Sequence, residues 1–460
     1  MQLTNSHEFK PASVQSDKRR AFLGFFRRYP VFLLAVGPPV FKMTLTGSDS
    51  TQSHTDIWNI IQVGWLFMIA LRAIIRLAYA QKPQIPKQTR SVLKYSFFLG
   101  LLFLGSVSYS PGRLVSLEFC ILYFATMICV LEFVVDAYKN PPDWMQCLLQ
   151  LRLMSLLLYI LVLITALLKP NMVLAVVPGA GIRLLGGTVA SAPVICPLIA
   201  IISAYCFLRK LESRIRSFLY FLVGTCGLAI AQIRGAEVGL LVIFIILGLQ
   251  WAKTNRRSAY LAIAGVMTSV LLGSIFLTVV GGERIWNTFN RNLDTENLMS
   301  FSGRMGTWVS LVEYSMSHPQ GLGYIAGIRT FHGGQYTTSM RVAFHKVGGV
   351  DSSYMEVLGD AGWLALTLYL IILIKVIAVG WRSVANYAPG ASRSDTMTTH
   401  AVRCSILLLL FFMVEAVESS VFEIPLSQGF YIQNIIIAMI LGGTASLRLA
   451  SRQRKSIFVQ

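Results

Sequence analysis

Long apolar runs constrain this chain more than any other feature. They recur along its 460 residues at lengths of about 17–25, which is what a helix needs to cross a hydrocarbon core of about 30 Å. Lipid offers the backbone no hydrogen-bond partner, so a crossing segment must satisfy its own N–H and C=O groups, as a helix does. Spans are expected near 30–46, 57–80, 92–110, 113–137, 148–168, 188–208, 216–233, 237–251, 258–280, 357–380, 403–421 and 429–448. Only 13% of the residues are charged, about half of what a soluble domain carries. The expected fold class is an all-α polytopic membrane protein of about twelve transmembrane helices. A disordered chain, a secreted disulfide scaffold and a soluble enzyme are excluded.

The formal charge is +19, and its distribution says what it is for. With the N-terminus inside, the inner side carries 29 Lys/Arg and 7 Asp/Glu, and the outer side 11 and 14. Lys18-Arg19-Arg20, Arg209-Lys210, Arg256-Arg257 and Arg452-Arg454-Lys455 all fall on inner segments. That split is the positive-inside bias that orients membrane proteins, with both termini cytoplasmic. Nucleic-acid binding would need the charge gathered on one folded face, so no nucleic-acid partner is expected. Arg72, Arg76, Arg152 and Lys375 lie near inner span ends, where long side chains reach water. The first span carries no small-residue cleavage site and is read as retained. The seven cysteines lie in or beside spans, with no CxxC, and the histidines have no i,i+4 pairing. Disulfide and zinc readings fail on spacing, so neither metal nor cofactor is expected.

Three parts follow: spans one to nine over 1–280, a long outer loop over 281–356, and spans ten to twelve with a tail over 357–460. A loop of that length is functional or disordered, and its many aromatics argue against disorder. Met305, Trp308, Val309, Val312 and Met316 follow helical spacing, with a stop at His318-Pro319. Gly321, Gly323, Gly327, Gly333 and Gly334 mark turns. A second helix is expected to start near Asp351-Ser352-Ser353, where Ser353 and Glu356 have capping-box spacing, and to run straight into span ten. The glycine-rich, apolar connection 169–187 is expected to be re-entrant or interfacial.

Chemistry gathers on the outer face. Arg183, Arg234 in the tiny Arg234-Gly235-Ala236 connection, and Arg304 all fall there. Guanidinium forks at a headgroup boundary suit a lipid-linked phosphate or diphosphate. Each alone can equally be a structural ion pair, as Arg234 with Glu237 at i,i+3. Arg304 and Trp308 stand at i,i+4 on one helix face, charge beside a stacking surface for a sugar. His318 reads as a helix C-terminal residue beside the dipole, His332 and the loop aromatics as glycan contacts or loop core. Glu415 falls inside span eleven, one turn from Glu418, within reach of an outer arginine.

The stretches Gly181-Ile-Arg-Leu-Leu-Gly-Gly187, Gln232-Ile-Arg-Gly-Ala236, Ser302-Gly-Arg-Met-Gly-Thr-Trp308, His318-Pro-Gln-Gly-Leu-Gly-Tyr324 and Asp351-Ser-Ser-Tyr-Met-Glu-Val-Leu-Gly-Asp-Ala-Gly362, with Glu418-Ser419-Ser420, occur in an order and spacing that resembles the bacterial O-antigen ligase and polymerase superfamily. Within it the chain looks like the exopolysaccharide-polymerase branch. The likeness covers about 180–430. It implies an enzyme of the inner membrane, a metal-independent, inverting glycosyltransferase. The substrate would be glycan on undecaprenyl diphosphate, held at the outer face among membrane lipid. An acceptor sugar hydroxyl on another lipid-linked unit would displace the lipid diphosphate and extend the growing polysaccharide, with a chain-length regulator as a protein partner.

By the same resemblance Arg234 and Arg304 would hold the diphosphate and Arg183 assist. Trp308, Tyr354, His332 and Glu418 are candidate substrate contacts. Many members, ligases especially, have His where this chain has Asp351. Asp351 is therefore a candidate base and equally a simple helix cap, with His345 as the other candidate. The competing readings are a ligase acting on lipid A core or protein and, in another class, a transporter or flippase. Transporters place polar groups at the bilayer midplane and repeat their halves; neither pattern occurs here.

Overall fold

The computed structural model describes residues 28–35, 57–79, 85–170, 173–177, 181–184, 190–231, 233–254, 304–327, 331–332, 335–336, 352–385, 393–417 and 427–458. Its helices are α1 (Ile57–Tyr79), α2 (Lys87–Ser106), α3 (Arg113–Lys139), α4 (Trp144–Leu168), α5 (Ala192–Arg209), α6 (Arg214–Ala231), α7 (Arg234–Thr254), α8 (Arg304–Ser317), α9 (Ser353–Ala385), α10 (Arg393–Glu415) and α11 (Gln428–Phe458). A 3-10 helix, Pro30–Ala35, precedes them. Helices α3 to α6 and α9 to α11 contain stretches long and apolar enough to cross a membrane. The chain is a polytopic, nearly all-helical membrane protein.

Ten expected spans coincide with helices. The first begins in the 3-10 turn, and the rest of it, like the ninth at 258–280, lies outside the described residues. Three expectations need correction. The eleventh span is expected at 403–421, but α10 runs from Arg393 to Glu415; its polar first turns carry Thr398 and Thr399, whose hydroxyls donate to Ser394 O and Asp395 O at 3.0 and 2.9 Å. Span ten is not one straight helix: α9 breaks at Gly362, with φ 80° and ψ −174°. The chain is also not wholly α. The 169–187 connection forms an antiparallel hairpin of β1 (Leu174–Val177) and β2 (Gly181–Leu184), with Ala175 opposite Arg183. β-branched valines favour extended backbone there. A second tiny hairpin pairs β3 (Phe331–His332) with β4 (Gln335–Tyr336).

Helices α5 and α11 are central, their apolar stretches 78% and 89% buried. Around them α6 and α4 pack on α5, α3 and α10 on α11, α7 on α10, and α9 on α2. Small residues let backbones approach where lipid supplies no hydrophobic drive between helices. At Gly224 in α6 an added Cβ would lie 2.7 Å from Ala200 N and Cys196 O of α5. The inner-end cations expected to reach water are also partnered. Arg76 Nη1 donates to Glu132 Oε1 at 2.8 Å, Arg152 Nη2 to Glu212 Oε2 at 2.7 Å, and Lys375 Nζ lies 4.0 Å from the Tyr95 ring centre.

Candidate active site at the outer helix ends

The His318–Tyr324 and Asp351–Gly362 stretches, noted separately in the sequence, lock into each other. After α8 stops at Ser317, the chain turns through Gly321 at φ 80° and Gly323 at φ 113°, both in the region that only glycine enters freely. The turn then lies along the start of α9. Leu322 N donates to Gly359 O at 2.7 Å, Gly323 N to Asp360 O at 2.8 Å, and Trp363 N to Pro319 O at 3.2 Å. The helix must open at Gly362 to release that Trp363 donor and admit Pro319. A Cβ at Gly362 would lie 1.9 Å from Pro319 O.

Side chains complete the lock. Ile325, itself left-handed at φ 62°, donates its N–H to Asp360 Oδ2 at 2.6 Å. Tyr324 is fully buried and stacks on Phe103 at 3.9 Å between ring centres. Its N–H is bound by Ser106 Oγ at 2.9 Å, and its carbonyl accepts from Ser116 Oγ at 2.6 Å. Tyr109, in the turn between α2 and α3, donates to Gln320 O at 2.5 Å. Partial loss of water and the nearby Asp360 carboxylate both push the Tyr109 phenol up. The turn is thus a plug seated between the α2–α3 connection and α9.

Two helix starts lie at the end of α10, and a third helix runs parallel to one of them. Ser353 N donates to Ala416 O at 2.9 Å, Ser352 Oγ to the same carbonyl at 3.4 Å, and Tyr354 Oη to Met413 O at 2.7 Å. These contacts fix the α9 start on the α10 terminus. On another side, Gly239 of α7 packs on Phe411, one turn before Glu415. Since α7 runs antiparallel to α10, this brings the Arg234 end of α7 level with Glu415. Helix α8 runs beside the first segment of α9: Trp308, Leu311 and Leu322 pack with Met355, and Trp363 Nε1 donates to Ser315 O at 3.2 Å. Its Arg304 end therefore points the same way as the α9 start. Helix N-termini carry unsatisfied N–H groups and a partial positive charge, chemistry that suits an anion.

Arg234 and Arg304 are each the first residue of their helix; the connection before α7 is Gln232-Ile233, not Arg234-Gly235-Ala236. Arg183 lies on β2, which packs against α6, the helix leading to Arg234. His332 lies on β3. Asp351, His345 and Glu418 lie outside the described residues. Trp308 is buried in the α8–α9 contact, so its indole supports the helix that carries Arg304 and is not an open sugar platform. Tyr354 is half-buried and ties α9 to α10. His318 stacks on Tyr314 at 4.1 Å, and its Nδ1 lies 2.9 Å from Ser317 Oγ, which suits the helix-end role expected of it.

Of the buried carboxyls at this face, Glu415 and Glu356 stood out in the sequence and Asp360 did not. Glu356 and Asp360 are fully buried and Glu415 is 1% exposed, all at this face. The signal was present: Asp360 interrupts Val357-Leu358-Gly359 and Ala361-Gly362-Trp363, where an acid inside an apolar span is costly without a specific partner.

Residues 219–370, from Leu219 in α6 to Leu370 in α9, match the family model described as O-antigen ligase. Over that stretch, about a third of its length, the chain carries a domain of the O-antigen ligase family. The matched stretch holds α7, α8, the plug and the first segment of α9, so the superfamily signature coincides with the elements that meet at this face. No curated protein matches the chain.

Proposed function

We propose that this protein is an inner-membrane polysaccharide polymerase, with the site on the periplasmic side and both termini in the cytoplasm. The observation that carries the reading is the common direction of the α7, α8 and α9 starts, two of them headed by arginine, within the stretch that matches the O-antigen ligase family. The donor is a glycan on undecaprenyl diphosphate. An acceptor hydroxyl on another lipid-linked repeat attacks the anomeric carbon, the bond to the diphosphate breaks with its electron pair, and the hydroxyl proton passes to a base. Arg234 and Arg304 meet the charge that grows on the leaving diphosphate, a transition-state effect, assisted by Arg183 and the three helix N-termini. Asp351, immediately before the α9 start, is the base in this scheme, with His345 the other candidate. Tyr354, His332 and Glu418 lie on the glycan side.

Arg234→Ala and Arg304→Ala should each abolish polymer while the protein accumulates normally in membranes. Lys at either position should rescue poorly, because the bidentate fork is lost. Polymer of full length in both alanine variants would overturn the assignment. A second reading, a ligase that moves a finished chain to lipid A core or protein, is favoured by the description of the matched family. It shares the donor site and differs in the acceptor. Purified protein given only lipid-linked repeats separates the two: a polymerase lengthens them, and a ligase leaves them unextended until its acceptor is added.

A further inference from the structure

At the opposite end of α6 lies a second polar construction that the reaction does not use. The cavity there measures about 250 Å³ and is lined by Gln146, Gln150, Arg152, Glu212, Arg216 and Tyr220, with Leu149, Leu153 and Leu156 along one side. Glu212 is shared by two guanidiniums. Its Oε2 takes Arg152 Nη2 at 2.7 Å and Ser217 Oγ at 3.3 Å, and its Oε1 takes Arg216 Nε at 3.1 Å. Both arginines also lie over the Tyr220 ring, at 4.4 Å and 5.5 Å from its centre. One carboxylate against two guanidiniums leaves one positive charge at the cavity. Arg209, Lys210 and Arg214 beside it add to the excess.

The groups left over define a ligand. Arg216 engages Glu212 and Tyr220 through Nε alone, and its side chain is 58% exposed. Its two terminal nitrogens therefore present a fork suited to phosphate oxygens. Gln150 Oε1 is buried with no partner among the described residues, an acceptor waiting for a hydroxyl or amine donor. The leucines continue the lining along α4 into its membrane-crossing stretch. We propose that this cavity binds the headgroup of an anionic phospholipid from the adjacent leaflet. The phosphate sits on the Arg216 fork, a headgroup hydroxyl donates to Gln150, and an acyl chain lies on Leu149, Leu153 and Leu156. Basic pockets between transmembrane helices on the cytoplasmic side bind anionic headgroups by this chemistry. The site is independent of the glycan reaction, and it grips the inner end of the helix whose outer end leads into Arg234.

The test uses the full chain purified in neutral detergent, with native mass spectrometry to count retained lipid and a melting curve as second readout. Phosphatidylglycerol should remain as one bound molecule and raise the melting temperature, while phosphatidylcholine should do neither. Arg216→Gln removes a charge-assisted bond and should weaken phosphatidylglycerol binding about tenfold. Gln150→Leu should weaken it less, and both variants should melt with wild type when no lipid is added. Equal retention by wild type and both variants would overturn the site. Equal retention of phosphatidylcholine would overturn the anionic preference. Inorganic phosphate giving the whole melting shift, with lipid adding nothing, would overturn the lipid source.

Discussion

A single residue, Asp351, separates a base from a cap. It immediately precedes Ser352, whose carbonyl accepts from Glu356 N at 2.9 Å and so opens the α9 ladder. Asn keeps the capping ability and cannot accept a proton. If Asp351 is the base, Asp351→Asn should lose most polymer formation while remaining folded, and Asp351→His should retain some activity. If it only caps, Asp351→Asn should match wild type and Asp351→Ala should cost about 0.5–2 kcal/mol of local stability. Polymer yield from membranes carrying the Asn variant decides, and wild-type yield transfers the role to His345.

Among the elements, α9 depends most on a single glycine. Its Gly362 conformation is essentially closed to other residues, and the added Cβ would strike Pro319 O. Gly362→Ala should destabilise the protein by at least about 3 kcal/mol, seen as a lower melting temperature and as protease cleavage within 318–327. Gly306→Ala, on a helical glycine with open space around it, should instead be neutral or stabilise by up to about 1 kcal/mol. Much at this scale was legible. The start and stop of α8 at Arg304 and Ser317, and the α9 start at Ser353, follow from apolar spacing, the His318-Pro319 stop and the Asp-Ser-Ser cap. The α9 break was not legible. Its cause is a backbone carbonyl more than forty residues away in sequence, and periodicity carries no information about distant backbone. The α10 register was misplaced because hydropathy marks the middle of a span and says little about a polar first turn. The part played by Asp360 escaped for a related reason: it binds Ile325 N of the plug, a partner from a distant element.

For the molecule as a whole, the contacts agree with one alternation of helices. Loop residue Gln320 reaches Tyr109 in the α2–α3 connection and Tyr324 reaches Ser116 in the first turn of α3, and Ser191 N reaches Gln428 Oε1 across 237 positions, all at ends expected outside. Arg448 at the far end of α11 meets Gln88 at the start of α2, both expected inside. Which side is which rests on the positive-inside bias. A reporter fused at Gly334 should be active only if its enzyme works in the periplasm, and activity of a cytoplasm-only reporter there would reverse the topology. The site and the proposed lipid cavity then lie on opposite leaflets, about 27 Å apart along the 18 residues of α6.

The lock between the plug and α9 is made chiefly of main-chain atoms. Leu322, Gly323 and Trp363 contribute N–H groups, and Pro319, Gly359 and Asp360 contribute carbonyls. A frame of that kind reads the path of the chain and is largely indifferent to which side chains it carries. Between its two halves run residues 328–351, joined to the frame at both ends. Over generations the part of that stretch other than His345 and Asp351 can exchange residues, or gain and lose them, while the arginine-headed helices keep their bearing. On the function proposed above, the sugar recognised can then diverge while the frame that carries the arginine-headed helices stays as it is.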